Sequence, residues 1–222
     1  MILNISYKFI AFSIITAIIF IFFPQLDIMT SGLFFKEGHF FARNYLPFEL
    51  IYDYAPSMTG IFFLAVLILF VYMQFKKRDQ MLGLKKKAYL YLILAMLLGP
   101  LLVVNGLLKE FSGRARPRHI VEFSGDKTFT PAFIISDQCK RNCSFVSGHA
   151  SAGFYFVALS LLFTGRRRKI LFWSAVAAGG VIGLVRIIQG GHFLSDVTFS
   201  YVFVYLTSLL LHYRMFKNDK AL

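Results

Sequence analysis

The stretch PSMTGIFFLAVLILFVYMQF, residues 56–75, contains no charged side chain, and Lys76, Lys77 and Arg78 follow it directly. A helix that crosses a bilayer needs about 20 mostly apolar residues, and this run meets that length. The basic residues behind it fit the cytoplasmic end of a span, where Lys and Arg collect. Working outward, five more windows qualify or come close, at roughly 8–28, 88–108, 148–164, 170–188 and 193–213. They leave little of the 222-residue chain for anything else. No Ser/Gly-rich linker, low-complexity tract or internal repeat divides it. The expectation is a single domain over residues 1–222, an all-α bundle of six transmembrane helices.

Composition agrees. With 57% hydrophobic residues, 27 Phe and only 16% charged residues, the chain is too apolar for an ordinary soluble domain. A formal charge of +13 could suggest a nucleic-acid partner, but its distribution points elsewhere. Lys76, Lys77, Arg78, Lys85, Lys86 and Lys87 share one short loop, and Arg166 to Lys169 share another. Together with Lys8, Arg214, Lys217 and Lys220 they put both termini on the cytoplasmic side, and nine of the eleven acidic residues fall on the other. The first window lacks small residues of a cleavage site after Phe23, where the chain reads Pro24-Gln25-Leu26-Asp27, so Lys8 to Phe23 is expected to stay as an anchor.

Counting spans from a cytoplasmic N-terminus puts residues 25–55, 109–147 and 189–192 on the outer face. Three polar clusters lie there: Lys109-x6-Arg116-Pro117, Ser147-Gly148-His149 and Arg186-x5-His192-x3-Asp196. They hold what phosphate ester cleavage requires. Arg116 and Arg186 offer forked hydrogen bonds to non-bridging oxygens and Lys109 adds a point charge. Ser147 is read as the N-cap of the fourth span, its hydroxyl and the amides of Gly148 and His149 facing the same anion. His192 and Asp196, four apart, share a face if the sixth span begins near Gly191, so the carboxylate holds the imidazole and one ring nitrogen stays free.

These clusters resemble the tripartite signature of the type 2 phosphatidic acid phosphatase superfamily, which comprises membrane lipid phosphatases, vanadium haloperoxidases and soluble acid phosphatases. One position departs: Val146 stands where the family usually has Pro, which removes a rigid residue but no reacting group. Carried over by position, the resemblance implies that His192 attacks phosphorus and becomes a phosphohistidine. Asp196 then orients it, and His149 protonates the leaving group before activating water. The size and outer-face site are most similar to the lipid A phosphatase branch of the 4′ type, in a bacterial inner membrane with the site facing the periplasm. Undecaprenyl pyrophosphate and phosphatidylglycerol phosphate phosphatases share the signature and remain alternatives.

Taken singly, Lys109 or Arg186 reads as a snorkelling anchor. Together with two His and an Asp on one side of the membrane, they read as a reaction centre, because intramembrane ionisable groups are costly. A metal site built from His149, His192 and Asp196 is disfavoured by three neighbouring cations, so no metal and no cofactor is expected. Arg114 alternates with Arg116 and is assigned to phosphate, the headgroup or a supporting position. Asn105, Glu110 and Asp137 are candidate neighbours. Cys139 and Cys143, the two cysteines, fall in the outer loop, where the compartment permits a disulfide. Gly179, Gly180 and Gly183 form a small-residue stripe suited to helix packing. The expected partners are the bilayer and a lipid phosphate, with no nucleic acid and no obligatory protein. A reading from another class, a carrier that only holds an anionic headgroup, accounts for the cations but gives no reason for His149 or the His192–Asp196 pair.

Overall fold

The structure, a computed structural model, describes residues 2–41 and 45–217; Lys220, counted above with the cytoplasmic cations, lies outside them. Helix α1 spans Ile2–Phe22 and α2 spans Gln25–Gly32, and the two meet at a bend of 83°. Pro24 stands at that bend and cannot supply the amide that would continue α1. A two-residue hairpin, β1 Phe35–Lys36 with β2 His39–Phe40, leads to the 30-residue α3, Leu46–Phe75. A second hairpin, β3 Gln80–Met81 with β4 Leu84–Lys85, turns the chain into α4, Lys86–Met96. The helix then widens to π geometry over Leu97–Leu108 and closes as α5, Lys109–Phe111.

Pro100 accounts for part of that widening, because its ring displaces a carbonyl partner and carries no N–H. The side chain of Asn105 donates to the Pro100 carbonyl at 2.7 Å and so repairs the turn. After a long irregular segment come α6, Gly148–Phe154, α7, Val157–Ser160, α8, Gly165–Ile188, and α9, Leu194–Phe216.

Among the described residues four helices are long and apolar enough to cross a membrane: Leu46–Phe75, Lys86–Phe111, Gly165–Ile188 and Leu194–Phe216. The bent α1–α2 pair makes a fifth if it counts as one span. One expectation needs correction: the fourth window, 148–164, is not one long helix but the short α6 and α7. There Ser151 and Ser160 turn their hydroxyls onto the carbonyls of Gly148 and Val157, at 2.7 and 2.6 Å, competing with the helical ladder. The all-α expectation also omitted the two small hairpins.

Ile14, Ile18, Ile61, Ile68, Trp173 and Leu210 are exposed on the outside of the bundle, an arrangement suited to lipid rather than water. Inside, α6 packs closely on α8. A β-carbon on Gly153 would come within 2.7 Å of Gly179, and one on Gly183 within 2.2 Å of Val197, whereas Gly180 faces open space. The packing stripe is therefore Gly179 and Gly183 without Gly180. These contacts bring the end of α5 and the starts of α6 and α9 to the same end of the bundle as Arg186. The basic loops at 76–78, 85–87 and 166–169 lie at the opposite helix ends.

Candidate active site

His192 sits in the short turn between α8 and α9 and is fully buried. Its Nδ1 lies 2.8 Å from the carbonyl oxygen of Ser144 and 3.5 Å from Oδ2 of Asp196. A carbonyl only accepts, so Nδ1 carries the hydrogen and Nε2 keeps its lone pair. Among the described residues Nε2 has no hydrogen-bond partner. Burial pushes the imidazole down to about 3, against the opposing pull of Asp196, so the ring is neutral at ordinary pH.

Asp196 does more than face His192. Its Oδ2 accepts from the Phe193 amide at 2.8 Å, capping the first turn of α9, and from the Ser144 hydroxyl at 2.5 Å. Its Oδ1 accepts from Arg114 at 2.6 Å. The carboxylate thus fixes the turn that carries His192 as well as the ring itself.

The cations converge on this turn. Arg186 folds back over it, hydrogen-bonded to Gln189 and stacked on the Tyr52 ring with its guanidinium carbon 4.4 Å from the centroid. Gly191 permits this, since a β-carbon there would fall 2.3 Å from the guanidinium. Arg116 donates to the carbonyl and side-chain oxygens of Asn142, at 2.8 and 3.0 Å. Burial draws Arg116 below its usual value. Lys109 is buried near the end of the long helix Lys86–Phe111 and lies close enough to Arg116 and Arg186 to repel both. Mutual repulsion among two buried cations and the half-buried Arg116 is tolerable where an anion binds.

Ser147 caps α6, its hydroxyl accepting from the Ala150 amide at 3.4 Å. Its own amide donates to the Asp196 carbonyl at 3.1 Å, which ties the second cluster to the third. Gly148 lies against the first cluster: a β-carbon would fall 2.5 Å from Oδ1 of Asn105 and 3.2 Å from Nζ of Lys109. His149 stacks on Tyr52 with ring centroids 4.3 Å apart and feels the charges of Arg186, Lys109 and Arg116. A cleft of about 330 Å³, lined by Lys109, Gly148 and His149 at one end and by Gly60, Phe63 and Leu101 at the other, joins these groups to the apolar flank of the bundle.

Lys109, Arg116, Ser147, Gly148, His149, Arg186, His192 and Asp196 are thus brought together. Arg114 is not available to a headgroup. It is 1% exposed, and its donors are taken by Asp27 at 2.7 Å, Asp196 at 2.6 Å, Ser195 at 2.8 Å and the Thr130 carbonyl at 2.7 Å. Glu110 is exposed, and Asp137 pairs with Gln138 in the irregular segment before α6. Cys139 and Cys143 are bonded, their Cα atoms 5.6 Å apart. Among the described residues no three His, Cys, Asp or Glu side chains cluster in a metal-holding arrangement.

Sequence reasoning missed Tyr52, Ser144 and Asp27. Tyr52 and Ser144 carried no signal. Asp27 did, as a carboxylate at the end of an apolar window, a position where an ionisable group asks for a partner.

The PAP2 superfamily profile matches residues 88–220. The chain is 40% identical over 205 residues to a lipid A 4′-phosphatase of Francisella tularensis subsp. novicida, covering 91% of this chain and 92% of the relative. It is also 41% identical over 110 residues to a lipid A 4′-phosphatase of Rhizobium etli, covering 49% and 42%, and 36% identical over 96 residues to a lipid A 1-phosphatase of the same organism, covering 43% and 37%. No solved structure matches.

Proposed function

The chain belongs to the PAP2 superfamily and is a phosphatase, and on that premise we propose that it removes the 4′-phosphate of lipid A at the periplasmic face of the bacterial inner membrane, without a metal, through a phosphohistidine on His192. The observation that carries the chemistry is the unpartnered Nε2 of His192, whose ring feels the charges of Arg116 and Arg186, cations that Lys109 in turn adjoins. The resemblance across nearly the whole length of the Francisella relative supports the substrate.

In the proposed reaction the three cations hold the non-bridging oxygens and His192 Nε2 attacks phosphorus in line with the sugar oxygen. The P–N bond forms as the P–O bond breaks. His149, its imidazolium favoured by the incoming phosphate dianion, gives its proton to the leaving oxygen. Neutral His149 then takes a proton from water as that water attacks phosphorus. The P–N bond breaks, inorganic phosphate leaves, and His192 is restored with Nδ1–H still on Ser144.

The cations stand where a divalent ion would otherwise neutralise charge, which supports a metal-free route. The basic loops at the far helix ends support an outer-face site. The apolar end of the cleft suits acyl chains that remain in the bilayer while the phosphate lies at headgroup depth.

The test is phosphate release from a panel of purified lipids, with product mass identifying the phosphate lost. Loss of the 4′-phosphate from lipid A is expected. Loss from the 1 position, or preference for undecaprenyl pyrophosphate or phosphatidylglycerol phosphate, would reassign the substrate. Binding without release would favour the carrier reading.

A further inference from the structure

Residues 142–144 touch the first and third polar clusters at once. Arg116 is held by both oxygens of Asn142, and the Cys143 amide donates to the Lys109 carbonyl at 3.1 Å. Ser144 donates its amide to the Arg114 carbonyl at 2.9 Å and its hydroxyl to Asp196, and accepts from His192 Nδ1. Yet residues 128–147 contain no helix or strand to stiffen them. Asn142 itself has a positive φ of 53°, a conformation that costs a side-chain-bearing residue something to hold.

The Cys139–Cys143 bridge closes directly onto this segment. Spanning only four positions, it removes little conformational freedom from the unfolded chain compared with a bridge across a long loop. Its effect is therefore local. We propose that this disulfide is a positioning element of the catalytic centre, fixing residues 142–144 so that Arg116 keeps its aim at phosphate and His192 keeps its hydrogen on Nδ1. The proposal rests on the assignment of those two residues to phosphoryl transfer.

Reduction provides a direct probe, because these are the two cysteines of the chain and a reductant has one bond to act on. A dithiothreitol thiolate attacks one sulfur and its second thiol resolves the mixed disulfide. Two electrons pass to the protein, Cys139 and Cys143 leave as thiols, and the reagent leaves as its cyclic disulfide.

The experiment compares full-length protein in detergent, oxidised and reduced, with the Cys139→Ser/Cys143→Ser double variant. It measures kcat, KM, inhibition by vanadate and the thermal midpoint. Reduction should lower kcat about 10- to 100-fold, weaken vanadate inhibition, leave KM and the midpoint little changed, and reverse on reoxidation with diamide. The double variant should show the low kcat and no response to reductant. Asn142→Ala, which keeps the bridge, should lose vanadate affinity while still responding to reductant.

A reduced protein with the kcat of the oxidised one would overturn the proposal. So would a fall in kcat matched by a large fall in the thermal midpoint, since the bridge would then be a general staple. Absence of phosphate release from every lipid by the oxidised wild type would be a different failure, of the phosphatase mechanism itself, and would remove this proposal with it.

Discussion

His192 gives its Nδ1 hydrogen to the carbonyl of Ser144, 2.8 Å away, while the carboxylate four residues downstream stands at 3.5 Å. The tautomer that exposes Nε2 is therefore set first by a backbone acceptor in the irregular segment before α6. Asp196 adds its charge from farther off and holds the turn. That division of labour separates local orientation from electrostatic support, and the two respond differently to mutation.

Tyr52 is the first place to look, since its ring meets both His149 and Arg186. Tyr52→Ala should cost about 1–2 kcal/mol of transition-state stabilisation, roughly 5- to 30-fold in kcat/KM. Tyr52→Phe keeps the stacking face and should remain near wild type. Steady-state kinetics on the two variants decide this. If Phe is as poor as Ala, the hydroxyl is the active part and the stacking account fails.

Arg114 should behave as a structural ion. Arg114→Ala leaves Asp27 and Asp196 buried without their cation, a change that typically costs about 3–5 kcal/mol. Denaturant or thermal unfolding in detergent should show that loss. A variant of wild-type stability with only a raised KM would instead return Arg114 to headgroup binding.

Acid stability carries a signature of His192. Its folded value of about 3 lies below the ordinary 6.5. Between those values the unfolded chain binds a proton that the folded protein refuses, so stability falls as pH drops from 6.5 toward 3. Above 6.5 this group contributes no pH dependence. His192→Gln cannot titrate and should lose less stability over the same range. Parallel curves of thermal midpoint against pH for the two proteins would contradict the buried neutral imidazole.

The cation cluster predicts how inhibitors and chelators act. Vanadate, which adopts the five-coordinate geometry of the transition state, should inhibit, and Arg116→Lys or Arg186→Lys should weaken that inhibition, since a point charge cannot replace the guanidinium fork. Activity should survive prolonged EDTA. Loss of activity to EDTA with recovery on adding a divalent ion would overturn the metal-free route and recast His149, His192 and Asp196 as ligands.

Much of this site was legible because charged and hydroxyl groups stand out in an apolar chain: Lys109, Arg116, Ser147, His149, Arg186, His192 and Asp196 announce themselves by chemistry and spacing. Tyr52 does not, being one of 11 Tyr beside 27 Phe. Ser144 holds the His192 ring through its backbone carbonyl, which no side-chain pattern reveals. Asp27 meets Ser195 across 168 positions, and only the bend beside Pro24 brings it there. The fourth window misled for a similar reason: hydropathy counts apolar residues, while continuity of a helix depends on where hydroxyls such as those of Ser151 and Ser160 turn.

The most direct test of the account is to trap the covalent intermediate. Wild-type protein mixed with lipid A bearing a labelled 4′-phosphate, quenched in alkali and digested, should carry label on the peptide containing His192, and the label should be lost in acid, as a P–N bond requires. His192→Ala should carry none and should lose on the order of 10⁴-fold or more in turnover while remaining folded. Label on another residue, or near-normal hydrolysis by His192→Ala, would contradict the assignment of the nucleophile.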